Sequence, residues 1–450
     1  MSRRVFLVDI GSTFTKAVLV DLDRETVVAA ARSPTTVEAD ITIGLEKALA
    51  AIEAAVGDTG GAEILACGSA AGGLRMVSVG LVPELSAEAA KRAALGAGAK
   101  IVGHYAHELT LSEVARIVGT RPDVVLLAGG TDGGNERTVL HNAGMLAASP
   151  VMAPIVVAGN KCAGDKIARL LAEAGKLCVV VDNVLPEIGR LEVEPCRRAI
   201  RDVFMRNIVK AKGLDRAERL VGKVLMATPD AVLQAASLLA QGHGREAGLG
   251  ELVMVDVGGA TTDVYSIAKG APTRASVVLR GLPEPFAKRT VEGDLGVRHN
   301  IETLAEICRR RDMNLAAPVL SAFLGDPGRL PADAAEAAVD EELARVAVET
   351  AFDRHVGRIE TVYGPYGETL VQTGKDLSRV GVIIGTGGPI TCCRGPKRVL
   401  AGVLNGGGLL KPIDARIHLD RRYIIYAMGL LAQLDPGMAL AIMKKNLTLI

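Results

Sequence analysis

Two distant segments of the chain, residues 5–16 and 252–263, share one pattern. Each is a short apolar strand that ends in an aspartate, followed by a glycine turn with hydroxyl residues and a second apolar strand. Asp9 aligns with Asp256, and the glycines that follow align at the same offset. A strand–turn–strand with an acid at its bend can wrap backbone N–H groups around phosphates and hold Mg²⁺. Two copies therefore predict two lobes that face one nucleotide, as in an ATP-dependent protein.

Composition narrows the classes of protein to which the chain can belong. Its 450 residues correspond to about three domain-sized units, and its net charge of +1 and lack of Trp argue against nucleic-acid binding. Asp9 interrupts the first apolar run too early for a signal peptide, and no stretch approaches the ~20 apolar residues of a membrane span. The seven cysteines are dispersed without a C-x-x-C pair, as expected of reduced thiols. We therefore expect a cytoplasmic protein with no membrane or nucleic-acid partner.

The order of apolar segments predicts an α/β protein in three parts. Residues 5–31 have the pattern of a three-stranded β-meander. Residues 86–182 alternate between helix and strand patterns, which favours a parallel sheet covered by helices. We predict the first part of lobe I at 1–65, an inserted α/β subdomain at 66–200, and a helical connector, lobe II and C-terminal helices at 201–450.

The segments outside the alternating region are predicted mainly as helices. Residues 195–241 and 285–355 have helical patterns, and Thr228 is a predicted N-cap before Pro229. The other predicted elements are a strand at 380–384 and helices near 421–433 and 436–445.

The first glycine turn is a candidate phosphate site. Gly11 lets the backbone bend tightly, so that the amides of Gly11, Ser12 and Thr13 can face phosphate oxygens. Lys16 and Thr13 are candidate phosphate ligands. Asp9 is a candidate catalytic residue and would hold Mg²⁺ through water. An ordinary hairpin with an acidic turn would give the same local pattern.

The second glycine turn is the better candidate for the γ-phosphate, because Gly258 and Gly259 are adjacent. Thr261 is a further candidate ligand. Asp256 is the second candidate catalytic residue, either as an anchor of Mg²⁺ through water or as the group that orients the attacking water. Asp263 lies one strand step beyond and can be structural.

A third glycine turn follows a predicted strand and precedes a predicted helix. Its residues are Gly385, Thr386, Gly387 and Gly388. Open α/β sheets bind ligands at the carboxyl ends of their strands, and amides at a helix start favour an anion. We expect these residues near the α-phosphate and ribose of a bound nucleotide.

These three loops, with the small-residue helix around Gly429, resemble those of the actin/Hsp70/sugar-kinase ATPase superfamily. In this resemblance residues 9–16 match the first phosphate motif, 256–263 the second, and 385–389 the adenosine motif. The helix around Gly429 resembles the second connector, where a small residue permits close helix crossing, and the first connector is placed within 222–241. The resemblance implies an α/β fold of two lobes with a duplicated ribonuclease-H-like core, and ATP and Mg²⁺ as cofactors.

A narrower resemblance covers nearly the whole chain. Residues 73–83, 128–136 and 291–296 look like those of the glutamate-mutase accessory proteins of the MutL/GlmL type. That family is unrelated to the mismatch-repair protein that shares its name. The resemblance implies a slow ATPase that serves as a reactivating chaperone for the subunits of an adenosylcobalamin-dependent mutase, such as glutamate (methylaspartate) mutase. It leaves a homo-oligomer open, and we expect the inserted subdomain to contact the mutase.

Other functions stay open from the residues alone. A small-molecule kinase of the same fold needs a carboxylate base beside an acceptor pocket, and Asp230 is a candidate. An ATP-driven iron–sulfur activator would use two cysteines from each chain of a dimer, and Cys162 and Cys196 are candidates. An actin-like scaffold would form filaments. Residues 128–136 are either a binding loop or a plain strand-to-helix turn.

Overall fold

Strands and helices alternate through most of the chain in the computed structural model. The structure describes residues 3–11, 14–35, 41–59, 61–68, 74–97, 99–211, 223–326, 328–364, 367–404 and 406–450. The strands are β1 (Arg4–Ile10), β2 (Phe14–Asp21), β3 (Thr26–Pro34), β4 (Glu63–Gly68), β5 (Leu74–Val79), β6 (Ala99–Tyr105), β7 (Val124–Leu127), β8 (Ile155–Val157), β9 (Cys178–Val180), β10 (Lys223–Ala227), β11 (Gly242–His243), β12 (Glu246–Ala247), β13 (Leu252–Val257), β14 (Thr262–Ile267), β15 (Val277–Arg280), β16 (Ala287–Glu292), β17 (Arg358–Gly364), β18 (Gly367–Thr373), β19 (Val382–Thr386), β20 (Arg416–Asp420) and β21 (Leu447–Leu449).

Helices connect the strands of each sheet and cover the sheet faces. They are α1 (Ile41–Val56), α2 (Glu88–Gly96), α3 (Leu111–Thr120), α4 (Arg137–Ala147), α5 (Gly164–Glu173), α6 (Glu194–Ala211), α7 (Thr228–Gln241), α8 (Ile301–Arg310), α9 (Ala317–Gly325), α10 (Ala334–His355), α11 (Gly388–Thr391), α12 (Pro396–Leu400), α13 (Ile425–Leu431) and α14 (Pro436–Asn446). None of the described helices is long and apolar enough to cross a lipid bilayer.

The first sheet has the strand order β3-β2-β1-β4-β10. Strands β1, β2 and β3 are antiparallel, and β4 and β10 run parallel to β1. Side chains of β1 alternate between two apolar layers because successive residues of a strand point to opposite faces. Val5 and Leu7 join the core between the first and second sheets, whereas Phe6, Val8 and Ile10 pack beneath α1. The predicted N-terminal β-meander is confirmed.

The second sheet repeats the arrangement of the first. Its order is β16-β14-β13-β19-β20-β21, so that β13, β14 and β16 correspond to β1, β2 and β3, and β19 and β20 to β4 and β10. Strand directions agree as well, with an antiparallel meander followed by two strands parallel to the first. Even the register is repeated, since Asp9 is opposite Lys16 and Asp256 is opposite Asp263. The predicted α/β fold with two lobes and a duplicated core is confirmed.

Helices α7 and α13 follow the last parallel strand of each repeat and pack together between the two sheets. Val5 and Leu7 of the first sheet, Leu252 and Met254 of the second, and these helices form one buried core. The predicted first connector within 222–241 corresponds to β10 and α7.

A separate sheet lies between β4 and β10 in the chain, with the order β6-β5-β7-β8-β9. All its neighbouring strands are parallel, which confirms the pattern predicted for residues 86–182. Helices α2 and α6 cover one face, and α3, α4 and α5 cover the other. The chain attaches this subdomain to the first sheet, whereas its helix α2 packs against β16 of the second sheet. The limits at residues 66 and 200 stay a prediction.

Some predicted elements differ from the structure. The prediction that residues 195–241 are mainly helical misses β10, whose short apolar run fits either pattern. The predicted helical region 285–355 is wrong at its start, where β16 pairs with β14. The sheet of β15, β18 and β17 is not predicted at all. The strand after residue 380 continues through Gly385 and Thr386, which therefore belong to β19 and not to a turn.

Candidate functional site

The two predicted phosphate turns close with the same hydrogen bond. The amide of Gly11 donates to the carbonyl of Phe14 over 3.2 Å, and the amide of Gly258 donates to the carbonyl of Thr261 over 2.8 Å. A β-carbon on Gly11 would lie 2.6 Å from that Phe14 oxygen, so only glycine fits this bend. The predicted ligands Ser12 and Thr13 lie outside the described residues.

Asp9 is the penultimate residue of β1, is buried, and is contacted by three side chains. Lys16 lies 3.2 Å from Oδ2, and the Thr228 hydroxyl donates to Oδ1 over 2.6 Å. The Cys67 thiol is 3.9 Å from the same Oδ1. The predicted N-cap role of Thr228 is wrong, since it is the first residue of α7 and its hydroxyl binds Asp9 instead. The start of α7 is thereby tied to the first hairpin.

Asp256 occupies the equivalent position in the second repeat. Its burial, and next the neighbouring Asp263 carboxylate, raise the pKa of Asp256 to about 7. Lys16 lowers this pKa, whereas Asp9 and Asp420 raise it further. Charged groups of both hairpins therefore act on one carboxylate. A cation close to this carboxylate stabilises its anionic form, as Lys16 already does in part.

The third predicted loop wraps around the second hairpin. Gly387 has a φ of 92°, and a β-carbon there would lie 2.7 Å from Asp256 Oδ1 and 2.2 Å from the Val257 oxygen. Thr386 is buried and donates its hydroxyl to Asp420 Oδ2 over 3.1 Å. Of the other predicted residues, Gly385 is buried within β19 and Gly388 is exposed at the start of α11. Glycine at position 387 is thus required for the close approach of two chain segments.

The second hairpin is anchored from its outer side. The carbonyl of Gly258 accepts from the amide of Val297, and the carbonyl of Gly259 accepts from the amides of Arg298 and His299 over 2.9 Å each. Thr261 is half-buried beside them. These bonds hold the carbonyls of the turn against the 297–299 segment.

Asp420 is a site residue that the sequence analysis missed. Its Oδ1 accepts from the amide of Ile424 over 3.0 Å, and its Oδ2 accepts from the amide of Ile425 over 3.1 Å and from the Thr386 hydroxyl. Burial raises the pKa of the Asp420 carboxyl, and these hydrogen bonds oppose the change. The signal was present, because Asp420 is the last residue of a short apolar strand, and Asp9 lies within one residue of the end of its strand.

A small cavity lies where these elements meet. The hydroxyl of Tyr426 is buried and has no hydrogen-bond partner among the described residues. The Lys16 ammonium lies 4.0 Å from the centre of the Tyr423 ring. The cavity is lined by Thr228, Val232, Asp256, Thr386, Asp420, Tyr423, Ile425 and Tyr426. It therefore takes one residue from the second hairpin, Asp256, and residues from both connector helices.

Mg²⁺ fits the donor chemistry of this region without a preformed protein cage. Within the described ranges, no three His, Cys, Asp or Glu side chains converge as metal ligands. Mg²⁺ keeps several waters and is usually bound by one or two carboxylates together with substrate phosphates. Asp9 and Asp256 are carboxylates of that type.

Comparisons with known proteins agree over almost the entire chain. A family model described as MutL protein matches residues 5–447. Protein MutL of Clostridium tetanomorphum is 46% identical over 457 residues, which covers 98% of each chain. This chain belongs to the MutL protein family. Membership in the MutL family confirms the resemblance to the MutL/GlmL type, which is separate from the mismatch-repair protein of the same name.

Solved structures resemble the MutL-family chain only distantly. Acetone carboxylase is 15% identical with a TM-score of 0.44, and the likeness covers 96% of this chain and 70% of that one. Gluconate kinase from Lactobacillus acidophilus is 11% identical with a TM-score of 0.36, covering 100% and 93%. Glycerol dehydratase reactivase is 11% identical with a TM-score of 0.34, covering 96% and 99%. The fold of this MutL-family chain therefore rests on its own strand order.

Residues named for the alternative functions lie in other surroundings. In the MutL-family chain Asp230 is buried, with Arg201 2.7 Å and Gln234 3.1 Å from its Oδ2. A kinase base must lie beside an acceptor pocket, and Asp230 is not among the residues that line the cavity at Asp256. Burial raises the pKa of the Cys196 thiol to about 12, which opposes the thiolate that an iron–sulfur ligand requires. Cys162 is exposed beyond β8.

Proposed function

We propose that this protein is a cytoplasmic ATP-hydrolysing accessory protein that reactivates an adenosylcobalamin-dependent mutase, with ATP and Mg²⁺ as cofactors. The observation that carries the proposal is that Asp9 and Asp256, equivalent acids of two duplicated hairpins, interact electrostatically. Asp256 lines the small cavity, and Asp9 accepts a hydrogen bond from Thr228, which lines it too. Membership in the MutL family supports the accessory role. The partner would be the subunits of a mutase of the glutamate mutase type.

Each loop has a role in this proposal. The amides of Gly11 and Gly258 close their turns, so other amides of the two turns face phosphate oxygens, as does the Lys16 ammonium. Gly385–Gly388 lies near the α-phosphate and ribose. Asp9 and Asp256 hold Mg²⁺ through water. When bound, ATP supplies the phosphoanhydride bond, and Mg²⁺ neutralises negative charge on its phosphates. These roles need flexible glycines and hard oxygen ligands, which the site contains.

Asp256 also suits the task of handling the proton of an attacking water. Its pKa of about 7 lies close to neutral pH, where a general base is most effective. The neighbouring Asp263 carboxylate, itself paired with Arg289 over 2.9 Å, contributes to that value.

The inserted subdomain provides a route from the nucleotide to a partner protein. Arg289 on β16 donates to Asp263 and, over 3.4 Å, to the carbonyl of Leu95 near the end of α2. Arg92 on α2 donates to the carbonyl of Pro283 over 2.6 Å. The subdomain is thus joined to the first lobe by the chain and to the second by contacts. A movement of one lobe relative to the other must strain one of these links. The ATP-bound and ADP-bound proteins can therefore differ in their affinity for a mutase.

The test is an ATPase assay of the purified protein with and without mutase subunits captured from the source cell. Asp9→Asn and Asp256→Asn should each lower hydrolysis at least 100-fold, on the order expected when a metal-anchoring or proton-accepting group is lost. Asp165→Asn is the matched control, because Asp165 is exposed on α5. Reactivation of an inactivated mutase should require ATP and fail with either site variant.

Other results would refute parts of the proposal. Full hydrolysis by both variants would remove Asp9 and Asp256 from the site. Strong stimulation by a sugar or small acid in the absence of a mutase would instead identify a kinase. Hydrolysis that no mutase alters, together with no reactivation, would leave an ATPase without the accessory role.

A further inference from the structure

Tyr423 has a backbone conformation that a bulky side chain seldom adopts. Its φ of 53° lies in the left-handed region, which costs free energy for an aromatic residue. The surrounding bonds hold it there, since its amide donates to the carbonyl of Asp420 over 3.0 Å. The next two amides, of Ile424 and Ile425, donate to the Asp420 carboxylate. Such a conformation persists only where neighbouring structure determines it, and it occurs most often at functional sites.

This conformation places the ring of Tyr423 against Lys16. The Lys16 ammonium is 4.0 Å from the centre of the Tyr423 ring and 5.8 Å from the centre of the Tyr426 ring. The two rings lie 6.0 Å apart at 54°. On its other side the ammonium is 3.2 Å from Asp9 Oδ2. Lys16 is therefore held between the acid of its own hairpin and an aromatic ring.

The contact joins the two repeats of the fold. Lys16 is on β2 of the first sheet, and Tyr423 follows β20 of the second. Tyr423 also lines the cavity that Asp256 lines. An aromatic face attracts an ammonium group without supplying an oxygen acceptor. Among the described residues, Asp9 is the hydrogen-bond partner of the Lys16 ammonium, and an ammonium has three N–H donors that can also reach oxygen ligands.

We propose that Tyr423 is a positioning residue for Lys16. Its ring holds the Lys16 ammonium beside the cavity, where the ammonium can donate hydrogen bonds to the phosphate oxygens of a nucleoside triphosphate. The inference rests on the proposed nucleotide site. It differs from a packing role, because a packing role needs the volume of the side chain and not the negative face of its ring.

Two kinds of variant separate these roles. Tyr423→Phe keeps the ring, whereas Tyr423→Leu keeps much of the apolar volume and loses the ring. Tyr423→Asn is a second ringless variant that tolerates a left-handed backbone if the leucine variant fails to fold. We expect the ringless variants to raise the KM for ATP about 3- to 30-fold with kcat little changed, and the phenylalanine variant to stay near wild type. Tyr363→Leu is the control, because Tyr363 is 76% exposed on β17.

A double-mutant cycle on full-length protein tests whether the effect passes through Lys16. In a Lys16→Met background, Tyr423→Leu should no longer weaken ATP binding. An equal weakening in both backgrounds, or equal KM values for the phenylalanine and leucine variants, would overturn the inference.

A second readout needs no nucleotide and so separates this inference from the proposed function. The rate of Lys16 acylation, followed by mass spectrometry, should rise several-fold in the ringless variants and stay near wild type in Tyr423→Phe. Unchanged acylation in all variants would overturn the inference even if ATP binds. If wild-type protein binds no ATP, the proposed nucleotide site is lost, and with it the phosphate-directed role of Tyr423.

Discussion

A β-carbon on Gly429 would lie 2.0 Å from the carbonyl oxygen of Ala231. Gly429 is on α13 and Ala231 on α7, so the two connector helices touch backbone to backbone. The predicted small residue at the second connector is confirmed by this contact. Each helix follows the last parallel strand of its repeat, and the crossing point therefore joins both halves of the fold.

Gly429→Ala should force the two connector helices apart. Because the crossing lies in the main core, we expect a loss of ~1–3 kcal/mol in unfolding free energy, measured as a lower temperature of half-unfolding. Gly119→Ala is the control, since a β-carbon at this position on α3 would have no neighbour within 4 Å. The control should be neutral or slightly stabilising. Equal losses in the two variants would contradict a special role for the crossing.

Asp256→Asn should change how stability depends on pH. The folded protein holds the Asp256 proton up to a pKa of about 7, whereas the unfolded chain releases it near the usual value of 3.8. Native Asp256 therefore lowers the unfolding free energy progressively as pH rises through that interval. The asparagine variant avoids this loss. We therefore expect the unfolding free energy of Asp256→Asn, minus that of wild type, to be about 1–3 kcal/mol higher at pH 8 than at pH 4, both measured without nucleotide.

Thermal unfolding of both proteins across this pH range is the measurement. Asp165→Asn, at an exposed carboxyl, should show no such divergence. Parallel curves for wild type and the Asp256 variant would show that the carboxyl titrates normally.

Asp420→Asn should destabilise the link between β19, β20 and α13. Three hydrogen-bond donors face the two Asp420 oxygens. In the asparagine variant an NH₂ group replaces one oxygen, so that one of these donors would face another donor and lose its acceptor. We expect a loss of ~1–3 kcal/mol in unfolding free energy. At Asp435, which caps α14 by accepting from the amide of Met438 over 2.9 Å, asparagine should be neutral because it caps equally well. A neutral result at both positions would contradict this account.

Arg289→Gln should separate the nucleotide site from the inserted subdomain. Hydrogen exchange of α2 amides, measured with and without ATP, should respond to nucleotide in wild type and lose that response in the variant. The reason is that Arg289 is bonded to both Asp263 and the Leu95 carbonyl. Arg92→Gln is the comparison, since Arg92 fastens the same helix to the 282–284 segment without contact to Asp263. If both variants keep the response, coupling runs elsewhere.

Local pattern was sufficient for the repeated hairpins and for the parallel sheet of the inserted subdomain. An apolar strand, an acid and a glycine turn lie close together in the chain, so their pattern is visible in the sequence. That pattern identifies Asp9 and Asp256 as equivalent positions of the two hairpins. The acid at Asp420 was overlooked, although that residue ends an apolar strand. The assignment of Gly385 to a turn failed because a strand boundary depends on pairing with β13 and β20.

The sequence by itself determined the two hairpins and the family, because these depend on residues near one another in the chain or on similarity along its whole length. Only the tertiary structure brought Thr228 to Asp9, Tyr423 to Lys16 and Arg289 to Leu95. Those pairs are far apart in the chain. Their meeting depends on how two sheets and two connector helices pack, and periodicity along a strand or helix contains no information about that packing.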